Sequence, residues 1–261
     1  MVVGAFLSLN ELADYSLAFS LVSIPWFIFG QVGSSIMLPI MSRAQDDPVK
    51  FCQRYRICVE YAGVSAVVLT LPLIVVGEQI VTLLYGSKYA GTGVLMALLG
   101  AASALRFLRF VPSIAAMARA DTINQLHSNV WRGLSLPLAT AVALMGGRVA
   151  LIAACALLAE LIASAVSLLR LHRCQGVPLR NTAGAAVYVL SFLGAGFALV
   201  WLGTSQFGYW YAVAVMLAVH LIAIVVAWFS FPDVVRSVLD ATGRKWTHTV
   251  PQPASNSSGS L

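Results

Sequence analysis

Charge is what this chain has least of. Asp, Glu, Lys and Arg make up 10% of its 261 residues, against about a quarter in soluble globular domains. So few charges cannot clothe a water-exposed surface, which excludes a soluble enzyme and a nucleic-acid-binding module. Cysteine is also scarce: Cys52, Cys58, Cys155 and Cys174 form no CxxC pair and no metal-ligand spacing, and this argues against a disulfide framework. A Gly-rich phosphate loop, an HExxH helix and a nucleophile elbow are all missing. No catalytic residue, metal ligand or cofactor is therefore assigned. The opening residues MVVGAFLSLNE carry neither the basic stretch nor the small-residue cleavage site of a secretory signal.

What the chain has instead is apolar length. Hydrophobic residues are 59% of the total and mean hydropathy is +0.86. Charges and turn residues divide it into long apolar runs at about 12–41, 57–77, 91–117, 124–146, 148–171, 183–203 and 209–231. At about 20 residues per membrane-crossing helix, these predict an all-α polytopic membrane protein with about seven transmembrane helices. The stretch EQIVTLLYGSKYA (78–90) is too polar to span and reads as an amphipathic interfacial segment. Residues 233–261 form a polar tail whose end, PQPASNSSGSL, is low in complexity and expected to be disordered.

Basic residues fall unevenly between alternate loops. One set holds Arg43, Lys50, Arg54, Arg56, Arg119, Arg170, Arg173, Arg180, Arg236, Arg244 and Lys245, while the other holds only Lys88 and Arg148. The positive-inside rule makes the first set cytoplasmic, with the N-terminus outside and the C-terminus inside. An odd number of spans, an external start and an apolar stub ending at Leu9 suggest that residues 1–11 are the remnant of a preceding helix. The expectation is a fragment or a split half.

Several helices carry polar faces. At 100° per residue, Ser16, Ser20, Ser23, Gly30, Gln31 and Ser34 share a sector of the first span, and Gln125, Ser128, Asn129, Arg132 and Ser135 share one in the fourth. Ala102, Arg106, Arg109 and Ser113 line one face of the third span; Ala153, Ala156, Glu160, Ala163, Ser164 and Ser167 line one in the fifth. These four faces are expected to meet and to avoid lipid. Serine and alanine alone amount to ordinary interhelical packing. Arginine does not, since each one at mid-bilayer costs about 2.5–3.5 kcal/mol even on the gentlest insertion scale.

Three such residues cannot all be neutralised by Glu160, the one acid near the centre of a span. A cavity holding water or an anionic ligand is the cheaper account of Arg106, Arg109 and Arg132, and snorkelling to the inner interface is the alternative. Arg106 and Arg109, at i and i+3, could together grip a diphosphate. Glu160 has two compatible readings, an ion-coupling carboxylate and a salt-bridge partner of one of the three arginines. Prolines 25, 72, 112 and 137 fall in the first four spans and none lies within the last three, so a bent, cavity-forming bundle is followed by straight peripheral helices. Glu60 reads as an i,i+4 partner of Arg56, Asp46-Asp47 as a helix start, and His220 as a satisfied packing residue.

The stretches LADYSLAFSLVSIPWFIFGQVGSSIMLPIMSRAQDDP (12–48), IVTLLYGSKYAGTGVLMALLG (80–100) and AMARADTINQLHSNV (116–130) resemble the C-terminal half of a polysaccharide-transport flippase. That family is a branch of the multidrug/oligosaccharidyl-lipid/polysaccharide exporter superfamily. The resemblance implies a fourteen-helix protein of two lobes that moves undecaprenyl-diphosphate-linked oligosaccharide across the bacterial inner membrane. It divides this chain into a five-span lobe (12–171), a cytoplasmic loop (172–182) and two peripheral helices (183–232).

Its implied partners are the polyprenyl diphosphate oligosaccharide, membrane lipids, and a missing N-terminal half or a second copy, with no nucleic acid. The candidate substrate-binding residues are Arg106, Arg109, Arg132, Gln125, Asn129 and Gln31, and the coupling candidate is Glu160. A cationic-drug exporter of the same superfamily should carry acids in its cavity rather than arginines. A membrane-embedded polymerase or ligase of lipid-linked glycans generally carries a large external loop, and the external loops here are short.

The topology is directly testable. With the native cysteines removed, a cysteine at Ser87 is expected to react with an impermeant thiol reagent from the periplasm, and one at Gln175 only after the membrane is opened. The reverse pattern would sink the assignment.

Overall fold

The computed structural model describes residues 8–201 and 209–236. Within them lie α1 (Leu9–Ser42), α2 (Pro48–Val75), α3 (Gly77–Tyr85), α4 (Gly93–Ala118), α5 (Thr122–Gly133), α6 (Ser135–Leu144), α7 (Val149–Gln175), α8 (Arg180–Trp201) and α9 (Tyr209–Ser230). No strand occurs among the described residues. Six of these helices are long and apolar enough to cross a membrane: α1, α2, α4, α7, α8 and α9. The chain is an all-α polytopic membrane protein.

The expected fourth span is where the count departs from seven. It is a broken helix, interrupted at Leu134 between α5 and α6. Gly133 is a weak helix former, and Pro137, in the first turn of α6, has no N–H to offer the Gly133 carbonyl. The Leu134 N–H turns back to the Trp131 carbonyl at 3.2 Å, a tighter three-residue bond. The other expected prolines are accommodated inside α1, α2 and α4, with Pro39 a second one in α1.

Helix starts follow local chemistry. Ser8 and Glu11 form a reciprocal capping box that opens α1 at Leu9, so Leu9–Glu11 belong to this helix. Residues 1–7, the rest of the proposed remnant, lie outside the described part. Asp47 caps α2, accepting from the Val49 and Lys50 N–H groups at 3.1 Å. Arg56 donates to Glu60 at 2.7 Å, as the i,i+4 spacing predicts. Helix α7 ends at Gly176, whose φ of 68° places it in the left-handed region. The loop read as 172–182 thus shortens to residues 176–179. Residues 237–261, with most of the polar tail, lie outside the described part.

Helix α4 is the axis of the bundle and packs against α1, α2, α7 and α8. Small residues permit the close approach. A Cβ on Gly100 would come within 2.9 Å of Ile74, and one on Gly33 equally close to the Phe110 ring. Helices α5 and α6 lie on α7, and α8 and α9 lie on α2. The last two spans are thus appended on one side. Tyr188 Oη donates to the Ala223 carbonyl at 3.0 Å, and His220 Nε2 lies 3.1 Å from the Val68 carbonyl oxygen, so His220 is a satisfied packing residue. Segment 78–90 is amphipathic: α3 buries Val81 and exposes Leu83, Leu84 and Tyr85.

Polar contacts concentrate at the basic end of the bundle. Arg119 lies over the Phe51 ring at 3.8 Å and donates to the Gln175 carbonyl. Asp121 receives Arg170, Gln175 and the Asn124 N–H. Partial burial works to raise the Asp121 pKa, but the Arg170 guanidinium and the other donors prevail and hold it below the ordinary carboxylate value.

The α2–α8 seam is narrowest where Gly63 meets Ala185, a Cβ on Gly63 lying 3.2 Å from that of Ala185. Gly63→Leu is expected to lower the stability of the purified chain by about 1–3 kcal/mol through overpacking, read as a fall in its melting temperature in detergent. Gly194→Leu, with nothing within 4 Å of its Cβ position, serves as the tolerated control.

Candidate functional site

The densest polar cluster lies midway along the helices. Positions 106 and 109 are one turn apart on α4 and direct two guanidinium groups at α7. There Glu160 receives Arg106 Nε and Nη2 on Oε1, both at 2.9 Å, and Arg109 Nε on Oε2 at 3.3 Å. Arg132, in the last turn of α5, brings Nη1 to 3.6 Å from Oε1. That is an ion-pair distance, too long for a hydrogen bond. Arg109 also donates to Ser128 Oγ at 3.1 Å. The Ser164 hydroxyl turns back to the Glu160 carbonyl at 2.7 Å.

Exposure grades across the three arginines. The Glu160 side chain is 2% exposed, Arg109 6%, Arg106 19% and Arg132 42%. Arg109 is therefore spent on protein partners, whereas Arg106 and Arg132 open toward the outside of the cluster. Arginine stays charged throughout the accessible pH range, so three guanidinium groups against one carboxylate leave two positive charges at mid-span. The indole of Trp26, on α1, flanks Arg106 at 5.8 Å and in turn meets the edges of Phe107 and Phe110. Such an arrangement can hold a divalent anion, with protein contacts on one side and open space on the other.

Of the residues singled out in the sequence, the fold brings together Arg106, Arg109, Arg132 and Glu160. Of the two readings of Glu160, the salt bridge is the one the structure displays, and all three arginines converge on it. Gln125 is half-buried on α5, and its Oε1 is buried without a hydrogen-bond partner among the described residues. Asn129, on the same helix, and Gln31, on α1, are exposed. The polar faces of α4, α5 and α7 meet, with Asn124 and Ser167 also exchanging hydrogen bonds at 2.9 and 3.3 Å.

The face of α1 departs from expectation. Ser16, Ser20 and Gln31 are exposed and do not join the other three helices. The reason is local: Ser20, Ser23 and Ser34 bond back to carbonyls of their own helix and need no partner to satisfy their hydroxyls. Trp26 and Ser128 were not picked out as site residues. The signal for Ser128 was present, because it stands one turn before Arg132; nothing in the sequence marks Trp26 as the neighbour of an arginine eighty residues away.

Residues 1–93 match the profile of a family described as "Polysaccharide biosynthesis protein". No curated protein and no solved structure matches the chain. The matched stretch covers α1, α2 and α3, and the arginine cluster lies beyond it.

Removing one partner of a buried ion pair leaves the other uncompensated, at about 3–5 kcal/mol. Glu160→Gln is expected to destabilise the chain on that scale, measured by thermal unfolding in detergent. Adding Arg109→Met should return part of the loss. Strictly additive effects of the two substitutions would show that the pair is not coupled.

Proposed function

We propose that this chain, whose residues 1–93 match a polysaccharide biosynthesis protein family, forms one lobe of a flippase for polyprenyl-diphosphate-linked oligosaccharide. The observation that carries the proposal is the mid-span cluster, which keeps two positive charges in excess and leaves Arg106 partly and Arg132 more fully open at its outer side. A diphosphate is the part of such a lipid that hydrocarbon excludes most strongly. Paired guanidinium groups receive it by charge-assisted, bidentate hydrogen bonds. The sign of the charge also favours this cargo over a cationic drug.

In this reading the lobe sits in the bacterial inner membrane with its basic end cytoplasmic. The substrate headgroup takes Arg106 and Arg132 from Glu160, while Arg109, held by Ser128 and Glu160 together, anchors the remaining framework. Glu160, left with Arg109 alone, becomes free to take a proton or another cation in place of the two arginines it has lost, and this is how a coupling role would arise. The break between α5 and α6 stands beside Arg132. Discontinuous helices at the membrane midplane are a common device for building transporter sites. The exposed polar stripe of α1 would face a second lobe, either a separate N-terminal half or another copy, and alternating access would come from the two rocking about the site.

The test is made in cells that export the polysaccharide. Arg106→Ala and Arg132→Ala are each expected to lower export at least about tenfold, a loss of about 1.4 kcal/mol or more in substrate interaction, with unchanged amounts of protein in the membrane. Retained export in both variants would refute the assignment.

A further inference from the structure

A second cationic feature lies at the basic end, on the outer surface of the bundle between α5 and α7. We propose that this notch binds the headgroup of an anionic phospholipid. It encloses a cavity of about 280 Å³ lined by His127, Val166, Leu169, Arg170, Arg173 and Cys174. No acidic residue is among the lining groups. Asp121, the carboxylate bonded to Arg170, is also engaged by Gln175 and the Asn124 N–H.

The donors that remain point to an anion. Arg170 gives Nη2 to Asp121 at 3.2 Å, but its Nε is buried without a hydrogen-bond partner among the described residues. His127 and Arg173 make no hydrogen bond or ion pair among the described residues and are exposed. A headgroup phosphate in the notch would accept from the Arg170 Nε and the Arg173 guanidinium together, a pairing that Arg makes well.

Depth and lining favour a lipid over a free ion. Arg170 lies ten residues beyond Glu160 on α7, about 15 Å along the helix. Half of a hydrocarbon core about 30 Å thick is the same distance. With Glu160 near the midplane, Arg170 stands at the headgroup boundary. Val166, one turn nearer the bilayer centre than Arg170, and Leu169 give the notch apolar lining. On α5, Ile123, Leu126 and Val130 are exposed apolar residues beside it, and they offer acyl chains a surface that inorganic phosphate would not use. Basic pockets between helices near the cytoplasmic face are a recurrent way of holding anionic headgroups.

Cys174 on the rim supplies a reporter. It is exposed, Cys58 and Cys155 are buried, and Cys52 is half-buried, so a Cys52→Ser background leaves one reactive thiol. The purified chain is placed in nanodiscs of phosphatidylglycerol or of phosphatidylcholine with the same acyl chains, and alkylation of Cys174 by a neutral maleimide is followed. The neutral reagent removes attraction or repulsion by the bilayer surface.

The expected result is alkylation about fivefold slower in phosphatidylglycerol, with the difference lost in Arg173→Gln/His127→Gln. Native mass spectrometry of the unmodified chain is expected to show phosphatidylglycerol retained over phosphatidylcholine, a readout independent of how the variant folds. Equal alkylation rates in the two lipids, equal retention, or protection that survives the double substitution would overturn the proposal. So would protection by inorganic phosphate in phosphatidylcholine nanodiscs, which would make the notch a site for free anions.

Discussion

An ionised carboxylate inside hydrocarbon must be met by cations, and Glu160 is met by three. The arrangement of the polar side of the bundle follows from that requirement. Helix α4 must present positions 106 and 109 to α7, and α5 must lie close enough to α7 for Arg132 to approach and for Ser128 to support Arg109. Each arginine would be costly on a helix by itself. Gathered about one acid, they are partly compensated, and an excess of positive charge remains at mid-span. Burial grades the three: Arg109, the deepest, is held by Glu160 and Ser128, and Arg132 is the most exposed.

Close packing of small residues complements the ionic cluster. Membrane helices associate without the hydrophobic driving force that operates in water, and they depend on close backbone approach and on interhelical hydrogen bonds. Gly33, Gly63 and Gly100 provide the approach; Tyr55 with Thr182 at 2.7 Å, and Tyr188 with the Ala223 carbonyl, provide buried hydrogen bonds between α2, α8 and α9. The result is a chain with two characters. The side built from α4, α5 and α7 is polar and charged, whereas α8 and α9 are joined to α2 through apolar surface and a few hydroxyl or imidazole contacts. The basic end adds a third layer of interactions, through Arg119, Asp121 and Arg170, that ties the short connections to the helices.

Much of the fold was legible in the hydropathy of the chain, because a membrane span must be long and apolar in any tertiary setting. The Asp47 cap and the Arg56–Glu60 pair were legible for a similar reason, since both are settled within a turn or two of helix. The break at Leu134 was not. Pro137 marked a bend in the fourth span, but a proline inside a helix is compatible with a continuous bent rod, as Pro72 in α2 and Pro112 in α4 demonstrate. The α1 stripe misled in another way: a polar sector reads the same whether its serines seek neighbours or are satisfied by their own backbone.

The sequence by itself determined the membrane-spanning character, the helix faces on which Arg106, Arg109, Arg132 and Glu160 stand, and the imbalance of three cations against one acid. These are properties of composition and helical period, and they do not depend on which helices become neighbours. Only the tertiary structure decided that the three arginines share one carboxylate, that Arg132 is the exposed member, and that Trp26 lies beside Arg106. Those facts depend on the order in which helices pack around α4 and on the angle at the α5–α6 break. Both are set by side-chain volumes meeting across the bundle, between residues tens of positions apart, and a helical period carries no record of them.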